Sequence, residues 1–185
     1  MSPKMMKILK FSGFGIVGLI VIVLVSSFIV KTDFDVQRTV VIHQPIDHVF
    51  DYIRYLENQY EYSVWGDLDP DMNREFRGED GTVGFVSVWQ GNEDVGRGEQ
   101  EIVGIREGER IDYELRFYEP FESTSQSYMI TDLLAEDMTR VTWGMSGSFS
   151  RPMNLMMLFF NLEEAIGSDY ETGLNNLKAI LEDPL

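Results

Sequence analysis

The sequence predicts an α+β fold: an antiparallel sheet of about seven strands, strongly curved if it is a single sheet, with one long C-terminal helix against it, plus one N-terminal transmembrane helix. Three observations predict it. Residues 11–30 run without a single charge. From residue 72 to 149, short runs rich in β-branched and aromatic residues recur between Gly-containing and acidic turn clusters. From Leu155 to Leu181, apolar residues then step by threes and fours.

The first element follows from length and hydropathy. Twenty residues at helical rise span roughly 30 Å, the thickness of a bilayer's hydrocarbon core. A helix apolar on every side has no face for water. The flank before it carries only Lys4, Lys7 and Lys10, whereas Lys31 is followed by Asp33 and Asp35. The positive-inside bias therefore predicts a cytoplasmic N-terminus and an extracytoplasmic globular domain. The apolar run continues past the small residues Val25-Ser26-Ser27 into Phe28-Ile29-Val30, which favours an anchor over a cleaved leader. Residues 1–31 are thus read as a membrane anchor and 32–185 as one domain.

Within that domain, Val36–Ile42 reads as a strand, and Pro45 opens a helix whose apolar face is Ile46, Val49, Phe50, Ile53 and position 56 or 57. Residues 55–65 read as a short helix or ordered turn. Strands are expected near 72–77, 82–91, 96–107, 109–119, 122–134 and 138–149. Glu79-Asp80-Gly81, Gly91-Asn92-Glu93-Asp94, Glu107-Gly108, Glu119-Pro120 and Glu136-Asp137 mark the turns. The last helix is expected to start at Pro152, with Ser150 as cap, and to carry Leu155, Phe159, Leu162, Ile166, Tyr170, Leu174, Leu177 and Leu181 inward. Gly167 and Gly173 then mark a bend or close packing.

Charge and composition exclude several functions. The chain carries 15 basic and 31 acidic residues, net −16, and no cysteine. Every acid lies beyond residue 30, so residues 31–185 carry −19. Nucleic acid would be repelled by that charge. A thiolate metal site, an iron–sulfur cluster and a cysteine nucleophile are excluded by composition. Gly13-Phe14-Gly15-Ile16-Val17-Gly18 matches a dinucleotide fingerprint, but lies in the apolar run with no βαβ series after it. Asp67-Leu68-Asp69-Pro70-Asp71-Met72-Asn73 begins like a calcium loop, but has Met at the sixth place and Gly78 at the twelfth, so a solvated turn is expected. His43 and His48, the only histidines, fit no metal spacing. No catalytic set, metal site or cofactor is expected.

Several stretches carry a family resemblance over about 35–182. They are Val40-Val41-Ile42 with Pro45 and Val49-Phe50-Asp51-Tyr52-Ile53, then Gly81-Thr82-Val83-Gly84 and Trp89-Gln90-Gly91-Asn92. Arg110-Ile111-Asp112-Tyr113, Arg140-Val141-Thr142-Trp143 and Gly173-Leu174-Asn175-Asn176-Leu177 follow. Together they resemble the helix-grip fold of the START-like (SRPBCC) superfamily, within it the polyketide cyclase/dehydrase and lipid-transport-like proteins. The resemblance implies a sheet wrapped on the last helix around a cavity for an apolar small molecule. It implies no universal catalytic residues.

Strand alternation drafts the cavity wall. Ile111, Tyr113, Leu115 and Phe117 share one face; Val141, Trp143 and Met145 share another; Val83, Phe85, Ser87 and Trp89 line up on a third strand. The alternation of 96–107 and 122–134 is irregular and leaves their register open. The wall expected to bind ligand is Trp65, Phe85, Trp89, Tyr113, Phe117, Trp143, Met145, Met156 and Phe160, with solid core as the competing reading. Three functions fit: binding of an apolar small molecule or lipid beside the membrane held by residues 11–30, a cyclase- or dehydratase-like enzyme, or a chaperone-activator-like interaction domain. The first is favoured, because the inward faces offer Tyr113 and little else for acid–base chemistry.

Overall fold

The structure, a computed structural model, describes residues 3–66, 68–120 and 122–183, with side chains of 3–13 and 17 outside that description. The order is α1 (Pro3–Ile29), β1 (Asp33–Ile42), α2 (Ile46–Ile53), α3 (Gln59–Tyr62), then six strands and α4 (Leu162–Glu182). The strands are β2 (Asn73–Arg77), β3 (Val86–Gln90), β4 (Arg97–Arg106), β5 (Arg110–Glu119), β6 (Ser123–Ala135) and β7 (Met138–Ser148). They form one seven-stranded sheet in the order β1-β7-β6-β5-β4-β3-β2. Each successive pair from β2 to β7 is antiparallel.

The chain divides into two compact units, Met1–Phe34 with Ser148–Asn161, and Asp35–Gly147 with Leu162–Leu185. In the first, α1 is a 27-residue helix with Phe14, Leu19, Phe28 and Ile29 exposed. Among the described residues, no helix is long and apolar enough to cross a membrane, so the structure does not support the transmembrane helix expected over 11–30. The side chains at 11–13 and 17 lie outside the description. The dinucleotide-like fingerprint falls inside this one helix, and not at the strand-to-helix turn such a site requires.

A second departure concerns the last helix, expected from Pro152 but beginning at Leu162. Residues Met153–Leu158 instead form a 3-10 segment, and the chain is non-helical at 160–161. The carbonyls at the end of α1 supply the reason. A helix terminus leaves carbonyls without intrahelical partners. The fully buried Asn154 donates Nδ2 to the carbonyls of Ser27 (2.8 Å) and Val30 (3.0 Å), and Arg151 Nε donates to Ser27 (3.0 Å). A local segment that caps α1 in this way does not also continue α4.

The core of the second unit is a set of ladder rows across the sheet. Ile111, Met129 and Trp143 are partners on β5, β6 and β7, all at most 2% exposed. The next row holds Ile102, Tyr113, Ser127 and Met145. On α2, Val49, Phe50 and Ile53 are buried as the helical period predicts. From α4, Tyr170 stacks on Trp143 with ring centroids 4.5 Å apart and planes 20° apart. Tyr62 and Trp65 meet the same indole edge-on at 5.6 and 5.9 Å. Gly173 is required beside it, because a Cβ there would lie 2.9 Å from Trp143 Cζ3. Gly167 likewise abuts Arg38, which donates to the Glu163 carbonyl. Both glycines therefore mark close packing.

The open registers have a physical explanation. The inward residues of β6 are Ser125, Ser127, Met129 and Thr131, while Leu133 and Leu134 are exposed. Ser127 Oγ donates to the Gly144 carbonyl and Thr131 Oγ1 to that of Gly108, so these hydroxyls are buried without loss of hydrogen bonds. On β4 a register shift between Ile102 and Gly104 interrupts alternation. The expected strand 82–91 is shorter, since Gly84 has φ +93° and leaves Val83 exposed.

The outer face is held by charge. Arg116 Nε donates to Glu99 (2.7 Å), Nη2 to Glu101 (2.5 Å) and Nη1 to Glu114. Arg77 also reaches Glu99. Partial burial pushes the Glu99 carboxyl up, but hydrogen bonds from Arg116 and Tyr118 and the two nearby guanidinium charges outweigh it and hold Glu99 below 4.5.

Two outcomes are expected. Trp143→Ala lowers the unfolding free energy by about 3–5 kcal/mol in urea titration, while Trp143→Phe loses far less, since the stack on Tyr170 survives. A carboxylate with a depressed folded pKa stabilises above its ordinary value and loses that contribution as pH falls. The thermal midpoint should therefore drop as pH goes below 4.5, and Arg116→Gln should make that drop shallower, because Glu99 then keeps only Tyr118 and Arg77 against the burial that raises its pKa.

Candidate ligand cavity

A cavity of about 400 Å³ lies in the second unit. Its wall is drawn from α3 and the turn after it, from β3, β4, β5 and β7, and from α4. The helical contribution is one face, Ala165, Ile166, Asp169 and Tyr170, set by the three-to-four spacing of α4. The exposed Asp94, Glu119 and Pro120 mark its open end, and the buried Ser63, Gly66, Met145 and Tyr170 its depth.

The sheet rows explain why space remains there. Next to the packed Ile102–Tyr113 row stands Ser87–Gln100–Leu115–Ser125–Gly147, whose side chains are small or polar apart from Leu115. The row beyond is Trp89–Gly98–Phe117. Gly98 separates two aromatic residues on adjacent strands, and a Cβ on it would fall 2.4 Å from Trp89 Cζ2 and 2.6 Å from the Arg116 carbonyl oxygen. Without that Cβ, the indole lies over the strand and meets Phe117 edge-on at 5.7 Å. A thin middle row between two bulky ones leaves a trough, and α4 closes its inner side through Tyr170.

Four of the nine residues expected to form the wall line this cavity: Trp65, Trp89, Phe117 and Met145. Three others lie in the packed core instead. Trp143 stands one ring behind the wall, covered by Tyr170. Tyr113 is 1% exposed in the adjacent row, and Phe85 stacks on Phe76 at 5.9 Å. Met156 and Phe160 belong to the 148–161 segment of the other unit, where they are exposed. The interruption before Leu162 removes them from the face of α4.

The wall also contains residues that alternation did not select. Leu115 and Tyr170 sit on apolar faces already visible in the sequence, without a sign that they border space. Gln100 lies on β4, whose bulge hid its register. Tyr60 shares a 2.7 Å hydrogen bond with Ser87, and its ring lies under the Arg74 guanidinium at 4.0 Å. Burial pushes the Tyr60 phenol up, partly opposed by Ser87 and Arg74. Burial raises the Tyr170 phenol as well, against a hydrogen bond with Ser127. Asp169, half-buried in the wall, has its carboxyl pushed up by burial. Nothing in helical periodicity set it apart from the solvent-facing acids of α4.

No metal arrangement emerges in the acidic turn. Asp69 Oδ1 accepts from the Asp71 amide (3.2 Å) and Oδ2 from the Asn92 amide (2.7 Å), so its carboxylate braces two loops. Asp67 lies outside the described residues. His43 Nδ1 lies 2.9 Å from Glu182, tying β1 to the end of α4. Among the described residues, no group of three or more His, Asp or Glu is placed to hold a metal ion.

Comparison with known proteins agrees with this architecture. Norcoclaurine synthase from Thalictrum flavum superposes with a TM-score of 0.63 at 8% identity, covering 84% of this chain and 98% of that one. A protein from Nitrosospira multiformis gives 0.58 at 19% identity, covering 81% and 97%. One from Thermobifida fusca gives 0.55 at 20%, covering 82% and 97%. At such identities the likeness shows a shared fold. No curated protein matches the chain in sequence. The profile of one family, described as polyketide cyclase / dehydrase and lipid transport, matches residues 33–182, which spans the whole sheet and α4, and the chain belongs to that family.

Proposed function

We propose that the second unit binds an apolar small molecule or lipid in its cavity, and that residues 11–30 tether it to a membrane with the N-terminus cytoplasmic and the domain extracytoplasmic. The observation that carries the binding reading is the cavity itself. About 400 Å³ is within the usual range of small-molecule sites, and the wall is mostly aromatic and aliphatic with a few polar groups. Family membership supports a hydrophobic ligand. The tether rests on the sequence: an uncharged run of bilayer length behind a purely basic flank. A tether would keep the cavity close to membrane-dissolved ligand.

One observation favours a second reading, a cyclase- or dehydratase-like enzyme. Asp169 in the wall combines a raised pKa with a neighbouring phenol, Tyr170, which are the groups a general acid–base step draws on. A chaperone-activator-like role is favoured by a solidly filled interior, and this interior holds a cavity instead.

Organic extraction of the purified full-length chain, followed by mass spectrometry, should release an apolar compound. Ligand titration should change tryptophan fluorescence through Trp65 and Trp89 and raise the thermal midpoint. No extracted compound together with no response to a hydrophobic panel would sink the binding reading. The tether is tested by alkaline carbonate washing of membranes from expressing cells. The chain should stay in the pellet, and release into the supernatant would reject the anchor.

A further inference from the structure

The cavity's charge is as uneven as its hydropathy. Three carboxylates line it, Asp94, Glu119 and Asp169, and among the described residues no Lys, Arg or His does. Two cations on adjoining elements are already engaged. Arg97 pairs with Glu119 at 3.3 Å, and Arg74 lies on the Tyr60 ring at 4.0 Å. Asp94 and Asp169 are left without an ion pair in the described structure. Their neighbours in the wall include the aromatic side chains of Trp65, Trp89, Phe117 and Tyr170.

These two features select the same chemistry. Aromatic faces carry a negative quadrupole and attract a nearby cation, most strongly an organic ammonium on an apolar body. A half-buried carboxylate adds Coulomb attraction that water screens less than at an open surface. An anionic head group would meet the same carboxylates with no lysine or arginine to neutralise it, and would lose hydration without replacement. Fatty acids and acidic phospholipids usually need a basic residue at their head group.

We propose that the cavity selects apolar molecules bearing an ammonium group over isosteric molecules ending in a carboxylate or phosphate, with Asp169 as the principal recognition residue. The inference rests on the binding reading above and narrows its ligand class. It separates amine-bearing ligands from the fatty-acid-like ones that hydropathy alone would admit equally.

The test uses the full-length chain and three probes with one hydrocarbon cage: 1-adamantylammonium, 1-adamantanol and 1-adamantanecarboxylate. Affinities are measured by calorimetry at neutral pH and physiological salt, where the net charge of the protein is screened beyond about 8 Å. The ammonium should bind about tenfold or more tighter than the carboxylate, with the alcohol between them. Asp169→Asn should reduce the ammonium-to-carboxylate ratio severalfold, with a smaller effect on adamantanol affinity than on ammonium affinity. Glu136→Gln, at the far end of β6, should leave the ratio as it is. If the carboxylate binds as tightly as the ammonium while adamantanol binds, the charge inference fails and the binding reading stands. A ratio insensitive to Asp169→Asn but reduced by Glu136→Gln would assign the preference to overall charge and overturn the site. If none of the three binds, and the extraction and the hydrophobic panel are negative as well, both readings fall.

Discussion

The contact between Trp143 and Tyr170 is the point on which the second unit is assembled. It joins the middle of β7 to the middle of α4, with ring centroids 4.5 Å apart. Trp65 and Tyr62 close on the same indole from the segment after α2, so three parts of the chain far apart in sequence share one aromatic cluster. Its strength comes from the large area such rings bury and from their preference for offset and edge-to-face geometry. Gly173 allows α4 to approach that closely. The indole N–H is buried without a hydrogen-bond partner among the described residues, so the cluster is held by packing.

The cavity follows from the same cluster. Tyr170 presents one side of its ring to Trp143 and belongs to the cavity wall, so α4 is fixed by the core at the position where the core ends. Beyond that line the sheet changes composition. Ser87, Gln100 and Ser125 replace the large apolar residues of the neighbouring row, and Gly98 lets Trp89 fold down toward Phe117. Small residues in the middle of a sheet usually weaken a core. In this fold they keep space open between two well-packed regions.

Electrostatics divide the sheet in a parallel way. On its outer face one guanidinium, Arg116, pairs with three glutamates, which limits their mutual repulsion in a chain whose residues 31–185 carry −19. Of the cavity carboxylates, Glu119 pairs with Arg97, while Asp94 and Asp169 have no ion pair in the described structure. Burial raises Asp169 while charge pairing lowers Glu99, opposite outcomes for two carboxylates in one domain. The difference lies in whether an arginine is within reach.

Particular elements show what could be read in advance. The inward face of β5, the apolar stripe of α2 and the Val141–Trp143–Met145 face were all legible, because periods of two and 3.6 are local properties of a chain. Family membership was legible too, because it rests on many short stretches. The start of α4 was not, since residues 152–160 have helical periodicity but are taken up capping α1 through Asn154, a partner more than 120 residues distant. Neither was the division between core and cavity. Alternation reports which side chains turn inward; whether they meet another side chain or empty space depends on the partner strand and on α4. The sequence by itself determined the strand and helix order, the inward faces and the excess of acid. Only the tertiary structure decided that Trp143 is core, that Trp89 and Phe117 are wall, and that Asp169 lines the same cavity, because each of those outcomes is a relation between residues that local periodicity cannot encode.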